Sequence, residues 1–448
     1  MNEKKELFET VPVPKALMTL ALPSIASQLI TMIYSLADTL YIGMTDDPIK
    51  VAAISVVSVL FFVMNAFANL FGVGGGSQVS RLLGKGGEEE VRRVTAFSFW
   101  GALAVALLYS LLCLSFSKPL MRFIGATDNT LEYTLDYLFW VVILGGVPST
   151  LSMVMSHLLR GAGYARQASF GIGLGGLLNL FLDPLFMFVI LPEGLEVTGV
   201  ALATFTSNVV SLLYFAAAFF RLRRRSALAL TFSGALPSRE SVQSIFSVGL
   251  PSAISTLLAC VTTGIATRMT SAMGDIPVAA IWIVKKIDQL PLNIGMGLCQ
   301  GMMPLVAYNY SSHNKKRMDA FIHVTKIAGV SFAVVCVLVF EVFADQVIQL
   351  FIQDAETVRL GISFLRIASL GTPFMVYIFQ IIHCFQAMNK GKATLLLSIC
   401  RQGAVYLPIL FTMRHLFGLY GIVWAQIVSN MITMLIARTM YLRARSSL

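Results

Sequence analysis

The chain alternates between apolar runs of about 20 residues and short connectors that carry charges, glycines and prolines. A run of that length spans a hydrocarbon core of about 30 Å as an α-helix. Reading these runs against the connectors predicts about twelve transmembrane helices. The predicted limits are 15–43, 51–74, 94–116, 133–157, 165–190, 198–220, 243–270, 277–305, 320–343, 358–385, 393–413 and 418–440.

The two halves of the chain repeat one another. ALPSIASQL at Ala21–Leu29 resembles GLPSAISTL at Gly249–Leu257, and TGVALATFTSN, ending at Asn208, resembles YGIVWAQIVSN, ending at Asn430. Three further landmarks pair in the same order: Phe123 with Phe351, Gly146 with Gly371, and His157 with His383. This order indicates a duplicated six-helix unit, and because six is even, both copies cross the membrane in the same sense.

The predicted fold is therefore an all-α membrane protein of two parallel six-helix repeats. The N-terminal lobe is expected at 1–220, a linker at 221–241 and the C-terminal lobe at 242–448. A first helix that follows the lead MNEKKELFETVPVPK is full length and lacks an A-x-A-like site, so we expect it to be retained and not cleaved as a signal peptide.

Composition supports lipid as the solvent, and charge gives the direction of insertion. Hydrophobic residues make up 56% of the 448 and charged residues 12%, whereas a soluble domain is usually about 25% charged. The net charge of +10 comes mainly from connectors on one side, such as the cluster at Arg221–Arg225, and does not indicate nucleic-acid binding. By the positive-inside rule, both termini and the linker are predicted to be cytoplasmic.

Two carboxylates lie inside predicted spans of the first half at matching depth. Asp38 is about five residues from the outer end of the first span and Asp183 about seven from that of the fifth, so each is buried roughly 8–10 Å. Tyr34 and Asn179 precede them by one turn, which gives each acid a hydrogen-bonding neighbour on its own face. A desolvated carboxylate can load and release a proton near neutral pH, so we interpret the two acids as a proton site.

These residues also have a structural interpretation. Asp183 could cap a broken helix ahead of Pro184, and Asp38 could sit at a wet helix end. Pro184 and Pro23 each remove a backbone donor and loosen their helices, so both are predicted hinges. No lysine or arginine inside a span of this half is available to hold either acid in a permanent ion pair, which favours titration.

The second half carries a different set of polar groups. Its seventh span has no acid, and its eighth carries Lys285, Lys286 and Asp288. Lys285 and Asp288 are three residues apart on one helix face, so they either neutralise each other or serve a substrate or coupling role. The predicted substrate cavity comprises Tyr34, Lys285, Lys286, Asp288, Gln289 and Asn293.

Other features exclude several classes of function. GVGGGSQVSRLLGKGG at Gly72–Gly87 lacks the ending of a P-loop and the spacing of a dinucleotide motif, so helix packing and a flexible turn explain it. The six cysteines form no CxxC or His-paired motif, and no catalytic constellation or ATP-binding domain appears. The sequence predicts no enzyme, no metal and no cofactor. An ion gradient must supply the energy, with H⁺ as the coupling ion and Na⁺ as the alternative.

Almost the whole chain, from about Val11 to Arg438, resembles the multidrug and toxic compound extrusion (MATE) family. ALPSIASQLITMIYSLADTLYIG, HLLRGAGYARQA and NLFLDPLF resemble its first half, and IDQLPLNIGMGLCQGMMPLVAYNYSSHNKKR and HCFQAMNKGKA its second. The likeness is closest to MepA-type members, near the DinF-like branch. It implies two six-helix lobes forming a V around a central cavity, and drug export coupled to an inward flow of protons or sodium.

The resemblance also implies site residues. DinF-like members place their cation site on an Asp of the first helix, an Asp of the fifth and an Asn one turn before it, which match Asp38, Asp183 and Asn179. Pro23 matches the proline where their first helix bends. NorM-like members instead use an acid in the seventh helix, which this chain lacks, and this departure favours protons at the first lobe.

The resemblance implies cationic drugs and dyes as substrates, the lipid bilayer as a partner, no nucleic acid, a monomer, and a bacterial cell (inner) membrane location. The alternative function is a lipid-linked precursor or polysaccharide flippase of the same superfamily. Flippases usually have more than twelve spans and a strongly basic cavity, and only Lys285 and Lys286 favour that class. A membrane-embedded enzyme would need a catalytic constellation at one depth, and only Asp38 with Asp183 comes near.

Overall fold

The computed structural model describes residues 2–45, 47–192, 194–223, 226–231, 236–271 and 273–446, and over these it contains helices and no strand. The α-helices are α1 (Asn2–Glu9), α2 (Val13–Gly43), α3 (Pro48–Gly84), α4 (Glu88–Ser115), α5 (Ser117–Ile124), α6 (Leu131–Leu138), α7 (Gly146–Gly161), α8 (Ala165–Leu185), α9 (Glu196–Leu222), α10 (Arg239–Ser271), α11 (Asp275–Ser311), α12 (Lys315–Gln349), α13 (Ala355–Ser369), α14 (Thr372–Ala387), α15 (Gly391–Ile399) and α16 (Tyr406–Ser446). Three π-helical segments follow α6, α8 and α15: Phe139–Leu144, Phe186–Ile190 and Cys400–Ala404.

The predicted spans occur in their predicted order. Within the described residues, nine helices are long and apolar enough to cross a membrane, and the bent pairs α6–α7 and α13–α14 raise this number to eleven. The last of the nine, 391–446, is broken at Gly418, whose φ is 56°, and a side chain at Gly421 would collide with the Met413 carbonyl oxygen. The chain therefore folds back there, and this stretch holds the last two predicted spans. The predicted fold class is confirmed.

The second span is longer than predicted because the glycine-rich segment continues it. A flexible turn was expected within Gly72–Gly87, but α3 runs to Gly84 and the turn is confined to 85–87. A helical glycine costs about 1 kcal/mol relative to alanine, so packing must offset that cost. Gly74 lies so close to the Ile245 carbonyl oxygen that a side chain there would collide with it. Helix packing therefore explains the segment, as expected.

The two repeats meet along two equivalent helix pairs. α2 packs against α11 and α3 packs against α10, so each repeat offers its first two spans to the other. On the first pair, Gly301 lies against the Ala21 backbone, and on the second, Gly249 lies against the Leu70 backbone. Small residues let helices in a membrane approach closely, which explains why glycines occupy these contacts.

The segment between the repeats is described only in part. α9 ends at Leu222 and α10 begins at Arg239. The predicted linker at 221–241 includes 224–225 and 232–235, which lie outside the described residues. The lobe boundaries therefore stay a prediction.

Hydrogen bonds join the repeats at the end of the molecule that carries both termini. Arg81 of α3 is buried, and its Nη1 donates to the carbonyl oxygens of Gln386 at 3.1 Å and Ala387 at 3.3 Å in α14. Its Nη2 donates to Ser244 Oγ of α10 at 2.7 Å, and Ser77 Oγ donates to the Gln386 carbonyl at 2.8 Å. This cluster, which we call the Arg81 latch, holds the two repeats together on that side.

Candidate functional site

Asp183 is held inside the first repeat, close to the end of α8. Its side chain is fully buried, with 0% exposure. Asn179, one turn earlier, donates from Nδ2 to Asp183 Oδ1 at 3.0 Å and to Thr204 Oγ1 of α9 at 3.4 Å. The helical spacing of four residues predicts this contact, because residues i and i+4 lie on one face. The second carboxylate oxygen, Oδ2, is buried and has no partner among the described residues.

Asp38 of α2 faces Asp183 across the helix contact. The two carboxyl groups lie within hydrogen-bonding reach of each other. Oδ1 of Asp38 is buried and, in the described part of the chain, unpartnered. Two ionised carboxylates have no proton to share, so such a contact is favourable when one of the acids is protonated. The sequence placed both acids at one depth, and the structure brings them together as one site, which we call the acid pair.

Two tyrosines complete the surroundings of the acid pair. Tyr34 packs on Gly176 of α8, where a side chain would come within 2.8 Å of its ring carbon Cδ1. Tyr137 of α6 is buried and lies near both acids and Tyr34. Sequence reasoning missed Tyr137, because its contact with the acids depends on how α6 packs against α2 and α8 and has no local signal.

The two predicted hinge prolines differ in their local structure. Pro184 follows Asp183 directly, and the helix widens into the π-helical segment Phe186–Ile190 two residues later. A proline lacks the N–H that an α-helix needs, which accounts for a break at this point. Pro23 lies within α2, which is helical from Val13 to Gly43. The roles of both prolines as hinges stay predictions.

The polar groups of the second repeat open onto a separate cavity of about 360 Å³. Its lining includes Lys285, Asp288 and Gln289, but neither Lys286 nor Asn293. Asp288 accepts a hydrogen bond from Thr372 Oγ1 at 2.6 Å. Within the described residues no ion pair joins Asp288 to Lys285, so the interpretation of these two groups as a neutralising pair is wrong. A hydroxyl from another helix takes the place expected for the lysine.

The residues of the predicted substrate cavity therefore lie at several separate places in the structure. Tyr34 belongs to the acid pair in the first repeat, and Lys286 lies over the ring of Trp282, 5.1 Å from its centroid. Trp282 is 46% exposed, and neither it nor Lys286 lines the second-repeat cavity, so Lys286 points away from that cavity. The geometry keeps only Lys285, Asp288 and Gln289 of the predicted set in one cavity.

A second cavity, of about 300 Å³, lies between the two repeats, and we call it the central cavity. Its polar and charged lining residues are Gln28, Asn69, Ser80, His157, Arg160, Ser252, Ser255, Gln300, His383, Gln386, Ser398 and Arg401. Sequence reasoning used His157 and His383 only as paired landmarks of the repeat, and it missed Arg401. The signal for Arg401 was present, because an arginine within the apolar run ATLLLSICRQGAVYLPIL is a costly intramembrane charge.

Two membrane-spanning repeats that surround polar cavities define a membrane transporter fold. The MatE family model matches residues 23–185 and 251–412, one match in each repeat, and this chain belongs to the MatE family. The two matches begin at Pro23 and Pro251, the prolines that pair in the sequence repeat.

Named relatives cover nearly the whole chain. The protein is 31% identical over 436 residues to "Multidrug export protein MepA" of Staphylococcus haemolyticus (strain JCSC1435) and 30% identical to the protein of that name from Staphylococcus aureus (strain MSSA476). Each match covers 97% of this chain and 95% of the relative. The fold also matches a solved structure described as the outward-facing conformation of a multidrug resistance MATE family transporter of the MOP superfamily. That match has a TM-score of 0.91 at 24% identity and covers 99% of this chain and 97% of the other.

Proposed function

We propose that this protein is a multidrug efflux transporter that exports organic cations in exchange for protons. Family membership and the similarity to proteins named as multidrug exporters support export of small molecules. The observation that supports proton coupling is the acid pair, in which Asp38 and Asp183 each have a buried carboxylate oxygen that accepts no hydrogen bond from another described residue. No donor from the rest of the described chain occupies these oxygens, so the pair can hold a proton between its two acids or contact a cation.

The acid pair lets a proton and a drug cation compete for one negative charge. When the pair is deprotonated, a cation near it is stabilised by Coulomb attraction that is strong away from water. When a proton enters, the charge falls and the cation is released. Ligands that compete in this way have reciprocal effects on each other's affinity, which is the condition for exchange.

Alternating access requires the two repeats to move against each other. In the proposed cycle, the contact α2–α11 acts as the pivot, and the Arg81 latch, which joins α3 to α10 and α14, opens when the cavity opens to the solvent on the side of the termini. The hydrogen bonds of the latch join backbone carbonyls of one repeat to a side chain of the other, so they break without unfolding a helix. Proton entry at the acid pair and opening of the latch would then alternate.

The membrane setting is part of the proposal. The basic connectors support a cytoplasmic location for both termini in a bacterial cell, by the positive-inside rule. On this orientation the Arg81 latch closes the cytoplasmic side. We propose that a single chain in the lipid bilayer is the working unit, since both repeats and their cavities belong to one chain. Transport by a membrane-embedded carrier of this kind makes no enzymatic activity necessary.

The test is ethidium efflux by wild type, Asp183→Asn and Asp38→Asn at equal membrane abundance, with an imposed proton or sodium gradient. We expect proton-driven efflux to be lost in both variants and kept in Asp128→Asn, a matched control whose acid is exposed in the connector before α6. Full activity of both acid-pair variants would sink the proposed coupling site. Efflux driven by sodium alone would assign the pair to sodium.

A second candidate function is favoured by the central cavity. A lipid-linked precursor flippase needs a basic cavity for a phosphate group, and Arg160 and Arg401 both line this one. A wild type that moves no cation under either gradient, but transfers a fluorescent lipid pyrophosphate across the bilayer of proteoliposomes, would establish this function instead.

A further inference from the structure

A third cavity, of about 730 Å³, lies at the end of the molecule that carries both termini, and we call it the termini-side cavity. The Arg81 latch forms its floor, since Gln78, Arg81 and Ser244 are buried and line it. Gln386, whose carbonyl accepts a hydrogen bond from Arg81, lines the central cavity instead. The latch therefore separates these two cavities, and the termini-side cavity shares no lining residue with the second-repeat cavity.

The charged groups of the termini-side cavity are mostly positive. Its lining includes one carboxylate, that of Glu240, and four cationic side chains: Arg81, Lys85, Lys315 and Lys390. Lys85 follows α3 of the first repeat, whereas Lys315 begins α12 and Lys390 precedes α15 of the second. Within the described residues, no ion pair includes any of these five groups. The cavity thus brings together positive charge from both repeats that no carboxylate neutralises.

The direction of insertion explains only part of this arrangement. The positive-inside rule accounts for basic connectors on one side of the membrane, but it does not require them to face one another. Lys316 and Lys392 are basic residues of the same connectors, and neither lines the cavity. Like charges that converge repel each other, which raises the free energy, and a bound anion replaces that repulsion with attraction. The convergence of charge therefore indicates an anion as ligand.

Two further features of the lining indicate a ligand. Asn309 is buried, its Nδ2 donates to the carbonyls of Leu305 at 2.8 Å and Phe8 at 3.3 Å, and its Oδ1 accepts no hydrogen bond from a described residue. A buried acceptor without a donor costs free energy, which a hydroxyl group of a ligand recovers. His313 and Asn389 also line the cavity, and they are the only described non-glycine residues in the left-handed region, with φ of 59° and 58°. Backbone held in this region clusters at functional sites.

We propose that the termini-side cavity binds a phosphate-bearing anion, whose phosphate oxygens lie between Lys85 of the first repeat and Lys315 and Lys390 of the second. Hydrogen bonds from ammonium groups to phosphate are charge-assisted, and lysine is a common phosphate ligand. A soluble polyphosphate and the headgroup of an anionic phospholipid share this chemistry. Because the anion joins both repeats beside the Arg81 latch, it stabilises the closed latch. This site goes beyond the proposed efflux function, and binding to it requires no gradient.

The experiment measures binding to the purified full chain. Calorimetry in phosphatidylcholine nanodiscs uses pyrophosphate and ATP as soluble probes, and mass spectrometry of nanodiscs with added phosphatidylglycerol detects retained lipid. Lys316→Gln is the matched control, because Lys316 is exposed, directly follows Lys315 and does not line the cavity. We expect Lys85→Gln and Lys315→Gln each to lower affinity about tenfold and Lys316→Gln to leave it unchanged.

Glu240→Gln provides a test of the opposite sign. Glu240 is exposed in the first turn of α10, and its substitution removes the one carboxylate of the described lining. Repulsion of the phosphate then falls, so affinity should rise about threefold. A purely structural role of the lysines would predict no such gain, and unchanged binding in this variant would contradict an electrostatic site.

The outcomes distinguish the two sources of phosphate. Binding of pyrophosphate or ATP in phosphatidylcholine nanodiscs would assign the site to a soluble polyphosphate. Retention of phosphatidylglycerol by wild type and its loss in Lys85→Gln, without soluble binding, would assign the site to a lipid headgroup. Absence of binding for all three probes would overturn the inference, as would an equal loss in Lys316→Gln.

The effect on the latch is measured separately, in proteoliposomes. The bound probe on the side of the termini should slow ethidium transport by wild type and not by Lys85→Gln. Equal rates with and without the probe would show that the anion does not stabilise the closed latch. A wild type that moves no ethidium under either gradient is a failure of the proposed efflux function, and the binding result stands apart from it.

Discussion

The first lobe places Asp38 fifteen residues after Pro23, and the second lobe places Ala266 fifteen residues after the paired Pro251. The two spans share their proline and their position in the repeat, but only one carries a carboxylate. An acid inside a membrane-spanning helix costs free energy that alanine does not. The second lobe shows that the repeat folds without a carboxylate at this position, yet the first lobe has one despite its cost in free energy.

The fifth and eleventh spans repeat the same contrast. Asp183 precedes Pro184 in the first lobe, and Leu407 precedes Pro408 in the second. Ala266 and Leu407 pack in one hydrophobic cluster, and Ala266 also lines the second-repeat cavity, so the place where the first lobe has its acid pair carries no acid in the second. The same repeat fold therefore forms with an acid pair at this place and without one. The acid pair is thus best explained by function and not by stability, and this comparison makes it the proposed coupling site.

The largest expected effect comes from making the first lobe resemble the second. Asp38→Ala should lower proton-driven ethidium efflux by about a hundredfold, because it removes half of a buried charged site. In wild type, acidification should weaken ethidium binding, since a proton neutralises the pair, and affinity should rise again with pH. Asp38→Ala should bind ethidium weakly at every pH. Titration of ethidium fluorescence on purified protein across the neutral range measures this.

Asp128→Ala is the control for that titration, because it removes an exposed acid whose ion-pair partner, Arg122, is exposed as well. If Asp38→Ala kept the pH dependence of the wild type, the acid pair would not be the group that couples protons to ethidium.

A smaller effect is expected from the amide that orients the pair. Asn179→Ala removes the N–H donor to Asp183 Oδ1, and a hydrogen bond to a charged group contributes about 1.5–3 kcal/mol. Ethidium efflux should therefore fall about tenfold, less than on loss of an acid. Initial efflux rates at equal membrane abundance give the measurement. Asn293→Ala, in the second lobe and away from the cavity lining, should behave as wild type, and equal losses in both variants would contradict a specific role for Asn179.

The smallest expected effect on transport is that of a substitution at Lys286, compared with one at its neighbour Lys285. Lys286→Gln should change transport by no more than about twofold, because Lys286 lies on Trp282 and points away from the second-repeat cavity. Lys285→Gln alters the lining of that cavity and should have the larger effect on substrate preference. Competition of a panel of cationic dyes against ethidium efflux tests both. Equal effects of the two variants would show that the cavity is not used.

Helical periodicity made the first-lobe site predictable, and packing between helices made the second-lobe site unpredictable. The rise per residue placed Asp38 and Asp183 at one depth, and the spacing of four residues put Asn179 beside Asp183. The same logic failed for Lys285 and Asp288. Their spacing allows contact, but Thr372 of α14 approaches Asp288 and takes its hydrogen bond. Helical periodicity describes contacts within one helix, whereas the contact between Thr372 and Asp288 joins two helices.

By itself, the sequence determined the membrane as solvent, the spans in their order, the duplication, and the depth of the two acids. These follow from the length of apolar runs and from the fixed geometry of a helix, which are local properties. Only the tertiary structure decided that the acids face each other beside Tyr137, and that Arg160 and Arg401 line one cavity whose described lining includes no aspartate or glutamate. The rotation and approach of neighbouring helices set such contacts, and these depend on side-chain packing along the whole interface.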